Sequence, residues 1–231
     1  MKFYCINLER RPDRKAQALA QFERANIDVE FIAATDGKKE DPGNLFVTSG
    51  EWGSANSHNR IYRDIVKKQH PYAVIFEDDV NLAKDFKSKF NDLMLEVSHI
   101  KWDILYLGHY LPINEGKVTD NAFIGKALGI HAYVVSLQGA KKFANFDTIY
   151  LDMIWDSVLC RLPILRLFAK NPIAFQSEDG TAIGALLRQI FDGDIKVSKT
   201  DWEHHLTYWS THIMIALLAI ISIFLVKSLM R

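Results

Sequence analysis

Three consecutive carboxylates, Glu77, Asp78 and Asp79, directly follow an apolar run that ends at Phe76. Their like charges repel one another, so the cluster is costly unless a cation or a basic partner lies beside it. Mg²⁺ and Mn²⁺ prefer carboxylate oxygens and also bind phosphates. The cluster therefore indicates a divalent-cation site, although one of the two aspartates could instead cap a following helix.

A second polar group lies near the start of the chain. Asn7 interrupts an apolar run near its end, and Arg10, Arg11 and Arg14 follow it. Pro12 favours the first turn of a helix, and a helix N-terminus beside arginines favours an anion such as phosphate. The same residues could also form a solvated basic turn.

A third group, Gly53–His58, falls at the start of a predicted helix. His58 could contact a ligand there or simply pack within the fold. The sequence contains neither G-x-G-x-x-G nor G-x-x-x-x-G-K-[ST], which argues against a dinucleotide enzyme and a P-loop NTPase. It also lacks the G-x-S-x-G nucleophile elbow.

The composition excludes further classes of protein. The 231 residues include 28 basic and 28 acidic side chains, so we expect no sequence-independent nucleic-acid binding. Two cysteines, Cys5 and Cys160, are too few for a disulfide-rich scaffold or a multi-cysteine zinc site. The hydrophobic share of 48% is enough for an ordinary core.

Short apolar runs alternate with helical stretches along most of the chain. The predicted strands cover residues 3–8, 29–34, 72–76, 102–107, 123–129, 131–136 and 173–176. The predicted helices run from Pro12 towards Asn26 and over residues 54–69, 85–97, 138–143 and 153–162, and residues 38–44 are predicted to form a loop. This order predicts an α/β fold whose sheet is mostly parallel in its first half.

Ligands of such sheets bind outside the carboxyl ends of the strands. The polar residues that follow the predicted strands should therefore converge at one edge. They lie at positions 7–14, 35–37, 77–79 and 108–110.

The C-terminal region has a different character from the rest. Residues 206–226 are strongly apolar, and a helix over them would be about 31 Å long, close to the thickness of a bilayer core. Tyr208 and Trp209 would lie at one interface. We expect a globular domain over residues 1–200 and a single transmembrane anchor over 206–226, with a buried C-terminal helix as the alternative.

Only five residues follow that segment, which predicts a tail anchor with the domain on the cytosolic side. Lys227 and Arg231 would then cross the membrane, against the positive-inside preference. The orientation therefore stays open at this point.

In combination, the motifs resemble glycosyltransferase family 25, whose members include lipooligosaccharide and procollagen galactosyltransferases. The matching elements run in order along the chain. They are Ile6–Arg14, Ala34–Gly37, Gly53–His58, Val74–Val80, Ala132–Lys141, Asp152 and Pro172–Ser177. Ser54 replaces the usual Cys of the third element, and Asn56 replaces its usual apolar residue.

The resemblance implies a GT-A-type, Rossmann-like fold that binds a nucleotide sugar and a divalent metal. It implies that Glu77, Asp78 and Asp79 hold Mn²⁺ or Mg²⁺ on the donor diphosphate, with Asp79 the best direct ligand. The donor would also be bound by residues from four other motifs. These are Asn7, Leu8, Arg14, Asp36, Ser57, His58, Gln176 and Ser177.

Family members invert the anomeric centre, which requires a base to deprotonate the acceptor hydroxyl. The resemblance assigns this role to Asp152, with Asp156 as the alternate one turn further on. Asp152 could instead cap the helix predicted over residues 153–162.

The resulting expectation is a membrane-attached, metal-dependent glycosyltransferase. It would move a hexose, galactose or glucose, from a UDP-sugar to a saccharide on a lipid or to a hydroxylated or glycosylated protein. The alternative is a catalytically silent member that binds a nucleotide sugar or a partner. A metal-dependent phosphatase or NTPase is disfavoured, because neither D-x-D-x-[TV] nor a P-loop is present.

Overall fold

The computed structural model describes residues 1–41, 43 and 46–177, with the exception of the side chain of Tyr150. The strands within these residues are β1 (Lys2–Asn7), β2 (Glu30–Ala33), β3 (Tyr72–Glu77), β4 (Val80–Leu82), β5 (Ile104–Tyr106), β6 (Tyr110–Lys117), β7 (Ala122–Leu128), β8 (Ala132–Ser136), β9 (Arg166–Ala169) and β10 (Ala174–Gln176). The α-helices in the same part of the chain are α1 (Pro12–Ala25), α2 (Gly37–Glu40), α3 (Ser49–Lys68), α4 (Phe86–Glu96), α5 (Leu137–Ala144) and α6 (Trp155–Arg161). A 3₁₀ turn covers Thr148–Tyr150.

Eight strands form one sheet in the order β2-β1-β3-β8-β5-β9-β7-β6. Strand β1 pairs in parallel with both β2 and β3, as predicted for the first half of the chain. Strand β8 is antiparallel to β3 and β5, while β5 and β9 are parallel. The fold is thus mixed α/β and Rossmann-like.

Helices cover both faces of this sheet. On one face, Tyr4, Ile75 and Tyr133 pack against α3, α5 and α6. On the other face, Val74 and Phe76 pack against α1 and α4. Because successive residues of a strand point to opposite faces, β3 supplies both cores from one continuous apolar run.

Several elements differ from the sequence-based prediction. Strand β6 was not expected, since Pro112 interrupts its sequence, but β6 lies at the sheet edge, where a missing N–H is tolerated. Helix α3 starts at Ser49 rather than residue 54, because Thr48 and Glu51 form a capping box. Residues 38–44, predicted as a loop, begin with the short helix α2.

The predicted transmembrane segment, residues 206–226, lies outside the described residues. Among the residues that are described, no helix is long and apolar enough to cross a membrane.

A second, two-stranded sheet pairs β10 antiparallel with β4, with Gln176 opposite Val80. The backbone N–H of Ser177 continues this pairing by donating to the Asp79 carbonyl oxygen at 2.6 Å. The small sheet therefore brings the end of the described chain to the residues that follow β3.

Helix α3 passes unusually close to the segment that leaves β2. A Cβ atom added at Gly53 would lie 2.7 Å from the Thr35 carbonyl oxygen and 2.9 Å from the Gly37 nitrogen, where only glycine fits without a shift. The side chain of Ser57 reinforces this contact, accepting a hydrogen bond from the Thr35 N–H at 2.9 Å and donating to the Gly53 carbonyl at 2.6 Å.

Replacing Gly53 by alanine should therefore destabilise the domain. We expect a loss of about 1–3 kcal/mol from overpacking, which lowers Tm by about 2–4 °C per kcal/mol. Gly50→Ala is the matched control on the same helix, because its added Cβ meets nothing nearer than Thr48 Oγ1 at 4.0 Å. Thermal melts that give the two variants the same Tm would contradict this packing.

Candidate active site at the carboxyl edge of the sheet

The parallel pairing of β1 and β3 brings two of the predicted polar groups together. Ile6 lies opposite Glu77 in this register, so Asn7 and the acidic residues leave the sheet at the same edge. The buried Asn7 side chain donates from Nδ2 to Asp78 Oδ2 at 2.7 Å and to the Arg11 carbonyl at 3.1 Å. Asn7 thereby joins the acidic residues to the turn before α1.

Arg14 supplies the nearest positive charge. Its Nη1 lies 3.2 Å from Asp78 Oδ1 and 3.7 Å from Asp79 Oδ2. One guanidinium thus faces two carboxylates, and Glu77 adds a third negative charge close by. The edge keeps an excess of negative charge that a cation would balance.

Asp79 is the most deeply placed of the three acids, and its two oxygens have different surroundings. Oδ2 accepts a hydrogen bond from Gln176 Nε2 at 3.0 Å. Oδ1 is buried and has no hydrogen-bond partner in the described part of the chain. Burial, and then the charge of Glu77, raise the pKa of Asp79 to about 7. A buried acceptor oxygen without a donor fits a metal ligand.

The side-chain hydrogen bonds of Glu77 go to α3. Its Oε1 lies 3.3 Å from His58 Nε2 and 3.4 Å from Ser54 Oγ. Burial raises the pKa of Glu77, but the hydrogen bond and charge of His58, the charge of His131 and the hydrogen bond from Ser54 outweigh it, and the net pKa is lowered. Ser54, which stands where the family usually has Cys, is therefore a contact of the acidic cluster.

The three acids were expected to hold one cation together. Within residues 1–41, 43 and 46–177, however, no group of three or more His, Cys, Asp or Glu side chains is placed to hold a metal ion. Glu77, Asp78 and Asp79 instead point to separate partners. Arg14 faces Asp78 and Asp79, whereas the side-chain hydrogen bonds of Glu77 go to α3. The charge of Glu77 still acts on Asp79.

The other predicted donor residues fall into two sets. Gln176 contacts Asp79 through its side chain and Ser177 through its backbone, so both belong to the acidic edge. Ser57 is buried in the contact between α3 and the β2 exit, where its hydroxyl is fully used. Leu8 lies in the turn after β1, where its carbonyl accepts the Arg11 N–H.

Asp36 is tied to the turn after β1. Its Oδ2 accepts a hydrogen bond from Arg10 Nε at 3.1 Å, and its Oδ1 accepts one from the Lys38 N–H at the start of α2. The hydrogen bond and charge of Arg10 lower the pKa of Asp36. This pair links the loops that follow β1 and β2.

The structure separates the two candidate bases. Asp152 is exposed, and its carboxylate pairs with Arg161. Helix α6 begins at Trp155, and its N-cap residue is Ile154, which makes no side-chain capping hydrogen bond. The alternative that Asp152 caps this helix is therefore wrong. Asp156 is half-buried and accepts a hydrogen bond from the Gly129 N–H at 3.2 Å.

The surroundings of Asp156 connect it to the acidic edge. Burial raises the pKa of its carboxyl, and the charge of Glu77 adds to this increase. Gly129 belongs to the loop before β8, and this loop also contacts Glu77, because the Glu77 N–H donates to the His131 carbonyl at 2.9 Å. Asp156 thus neighbours the site, whereas the contacts of Asp152 lie elsewhere.

Tyr110 is a site residue that the sequence did not single out by itself. Its hydroxyl lies 3.4 Å from Gln176 Oε1, so a chain of contacts runs from Tyr110 through Gln176 to Asp79. The sequence feature that could have identified Tyr110 is its place in the polar segment 108–110, which follows a predicted strand. Gly108 in this segment permits close packing, since a Cβ there would lie 2.2 Å from His131 Nε2.

Comparison with known proteins identifies the family of the chain. The family model for glycosyltransferase family 25 (LPS biosynthesis protein) matches residues 1–155. Procollagen galactosyltransferase 2 of Homo sapiens is 26% identical over 218 residues, covering 80% of this chain and 34% of that protein. The inactive glycosyltransferase 25 family member 3 of Mus musculus is 29% identical over 181 residues, covering 68% of this chain and 31% of that protein.

This chain therefore matches only about a third of the length of these curated relatives. Among solved structures, HddC from Yersinia pseudotuberculosis is 10% identical with a TM-score of 0.46, over 83% of this chain and 100% of that chain. Similarity at this level carries no functional information.

The buried charge of Asp79 predicts a pH-dependent stability in the metal-free protein. The folded-state pKa of about 7 lies above the ordinary value of 3.8, so ionisation of Asp79 destabilises the fold progressively as pH rises between these values. Asp79→Asn removes this penalty. The quantity to compare is the Tm of Asp79→Asn minus the Tm of wild type, both measured in EDTA. We expect this difference to be larger at pH 8 than at pH 5 by roughly 3–8 °C.

Comparing the Tm difference at two pH values cancels any pH-independent cost of the amide. Asp92→Asn, on the exposed surface of α4, is the control and should show no such change. A Tm difference for Asp79→Asn that is the same at both pH values would contradict the assignment of a raised pKa.

Proposed function

Because this chain belongs to glycosyltransferase family 25, we propose that it is a metal-dependent, inverting glycosyltransferase. It transfers a hexose, galactose or glucose, from a UDP-sugar to a hydroxyl group of a saccharide or of a protein-linked acceptor. The observation that carries the proposal is the acidic edge at the end of β3, where Asp79 presents a buried oxygen that has no hydrogen-bond donor among the described residues.

The residues at this edge fit a divalent cation, Mn²⁺ or Mg²⁺. Asp79 is the first ligand through Oδ1, and Asp78, which faces the same Arg14, is the second candidate. When bound, the cation neutralises the negative charge that develops on the nucleoside diphosphate leaving group. Arg14 and the helix N-terminus of α1 add positive potential on the same side.

The donor nucleotide is expected along the exit of β1. Asn7, Leu8 and Arg14 line this turn, and Asp36 is connected to it through Arg10. Gln176 and Ser177 close the opposite side of Asp79. We assign Ser57 a supporting role, since its hydroxyl holds α3 to the segment that leaves β2.

A single displacement inverts the anomeric centre. The acceptor oxygen attacks the anomeric carbon, the bond from this carbon to the diphosphate oxygen breaks, and UDP leaves with the bonding electrons. The acceptor proton passes to a carboxylate base. Asp156 is the better candidate for this base, because it neighbours Glu77 and because burial raises its pKa, whereas Asp152 is exposed and paired with Arg161.

The proposal also includes a membrane anchor over residues 206–226, with the catalytic domain on the cytosolic side. It is supported by the apolar sequence and by the aromatic residues at one of its ends. The family description in terms of LPS biosynthesis is compatible with an acceptor held at a membrane.

A catalytically silent protein that binds a nucleotide sugar is the second candidate function. Two observations favour it: the three acids do not form one ligand cluster in the described residues, and Asn56 is engaged in contacts with Thr35 and Thr148. Turnover measurements distinguish this candidate from an active transferase.

We expect the full chain with Mn²⁺ to release UDP from one member of a panel of UDP-sugars. EDTA should abolish this release, and Asp79→Ala should lower it by roughly 10²-fold or more, because charge stabilisation of the leaving group is lost. Asp156→Asn should lower acceptor-dependent transfer by about 10²-fold. Asp152→Asn is the matched control and should retain transfer within about threefold.

Near-normal turnover of Asp79→Ala with Mn²⁺ present would refute the metal assignment. If UDP binds in the presence of metal but no sugar is turned over with any acceptor, the silent protein becomes the correct description.

Membrane association can be tested separately. The full chain should stay in the membrane fraction after carbonate extraction, while a variant that lacks residues 206–231 should be released into the supernatant. Protease digestion of sealed vesicles then reports on which side the domain lies. Full release of the intact chain by carbonate would show that residues 206–226 do not anchor it.

A further inference from the structure

A continuous chain of buried hydrogen bonds leads from α6 to the acidic edge. Trp155 Nε1 lies 3.2 Å from Tyr62 Oη, which lies 2.6 Å from Tyr133 Oη. Tyr133 Oη lies 2.7 Å from His58 Nδ1, and His58 Nε2 lies 3.3 Å from Glu77 Oε1. The other four members of this hydrogen-bond chain are almost fully inaccessible to solvent: Trp155, Tyr62, Tyr133 and His58.

The chemistry of its first member fixes the direction of this chain. An indole N–H can only donate, so Trp155 donates to the Tyr62 oxygen. Among the described residues, Tyr133 Oη is the acceptor within reach of the Tyr62 proton, and Tyr133 can then donate to His58 Nδ1. In this order His58 Nε2 presents its N–H to Glu77.

The opposite order of donors is disfavoured. If His58 Nδ1 donated to Tyr133, then Tyr133 would donate to Tyr62, which already accepts from Trp155. The Tyr62 proton would then have no acceptor among the described residues, and an unsatisfied buried hydroxyl is unfavourable. Burial also raises the pKa of both tyrosines, so they keep their protons.

The chain leaves one oxygen of Glu77 open. His58 and Ser54 both contact Oε1, and Oε2 accepts no hydrogen bond from the described residues. The Glu77 side chain is 23% exposed, compared with 10% for Asp78 and 6% for Asp79. Glu77 is thus a carboxylate held at one oxygen and accessible at the other.

The position of Glu77 indicates what this open oxygen meets. Asn7 and Arg14, on the side of the proposed nucleotide, contact Asp78 and Asp79. The charge of Glu77 acts on both Asp79 and the Asp156 carboxyl, so Glu77 neighbours the proposed cation ligand and the proposed base. In the proposed reaction the transferred sugar must reach from the diphosphate to the base, and its hydroxyl groups are donors that a carboxylate accepts.

We propose that Glu77 is not a cation ligand but binds a hydroxyl group of the transferred sugar, and that His58, Tyr133, Tyr62 and Trp155 are positioning residues that fix its carboxylate. The inference rests on the proposed function, since it names the part of the donor that this side chain contacts. It separates Glu77 from the two acids that follow it.

The first experiment measures Mn²⁺ binding to the full chain by electron paramagnetic resonance, in the absence of nucleotide. Glu77→Gln should keep the Mn²⁺ affinity within about threefold of wild type, whereas Asp79→Asn should lose at least tenfold. Glu23→Gln, an exposed residue of α1, is the control for loss of one negative charge. Equal losses for Glu77→Gln and Asp79→Asn would make Glu77 a ligand and overturn the inference.

The second experiment compares the affinities for UDP and for UDP-hexose by calorimetry with Mn²⁺ present. Wild type should bind the UDP-hexose that it turns over more tightly than UDP. Glu77→Gln should lose about tenfold or more in affinity for UDP-hexose, as expected for a hydrogen bond to a charged group. Its affinity for UDP should change by less than threefold.

The third experiment tests the positioning residues. Nitrogen-15 NMR of labelled histidine should show His58 Nδ1 of the wild type accepting a hydrogen bond and Nε2 donating one, and Tyr133→Phe should remove the hydrogen bond at Nδ1. Tyr133→Phe should also weaken UDP-hexose binding while UDP and Mn²⁺ binding stay within threefold. Tyr72→Phe, whose ring packs against Trp102 near the start of β3, is the matched control.

The outcomes separate this inference from the proposed function. A wild-type chain that binds neither Mn²⁺ nor UDP refutes the proposed function. If wild type binds both, and Glu77→Gln binds UDP-hexose as tightly as wild type does, only the role of Glu77 is refuted. A His58 whose Nδ1 donates to Tyr133 instead of accepting from it refutes the proposed order of the positioning chain.

Discussion

Three negative charges at adjacent positions on a buried sheet edge must be kept apart, and the arrangement of the site follows from this constraint. The alternation of side chains at the end of β3 sends Glu77 towards α3 and Asp78 towards β1 and α1. Each carboxylate then has its own donors. Those of Glu77 are His58 and Ser54, those of Asp78 are Asn7 and Arg14, and that of Asp79 is Gln176. Repulsion is reduced by this divergence, and the charge that stays uncompensated is concentrated at Asp79.

Rigid elements rather than long loops hold this arrangement. Asn7 and Glu77 sit at the ends of paired parallel strands, His58 belongs to a twenty-residue helix, and Gln176 is carried by β10. The close contact at Gly53 fixes that helix against the exit of β2. Side chains that are placed in this way need little rearrangement to receive a charged ligand, which favours electrostatic stabilisation of a leaving group.

The sequence predicted the α/β class, the parallel first half, and the meeting of Asn7 and Arg14 with the acids, because all of these follow from apolar runs and strand ends. It carries less information where a distant contact decides the outcome. The resemblance placed Asp152 ahead of Asp156 as the base, whereas the start of α6 at Trp155 and the loop at Gly129 bring Asp156 closer to the site. Tyr62 and Trp155 have the spacing of ordinary core aromatics, so their polar atoms gave no signal.

The hydrogen bond between Gln176 and Asp79 joins residues that are 97 positions apart. During synthesis, β1, α1 and β3 can pair long before β10 has been made. At this stage Arg14 is present near Asp79 Oδ2, but the hydrogen bond from Gln176 is still missing. Contacts of such large sequence separation form late in folding, because closing the loop between them costs entropy. The orientation of Asp79 is therefore acquired among the last steps, so an unfinished chain does not yet present the cation site in its final form.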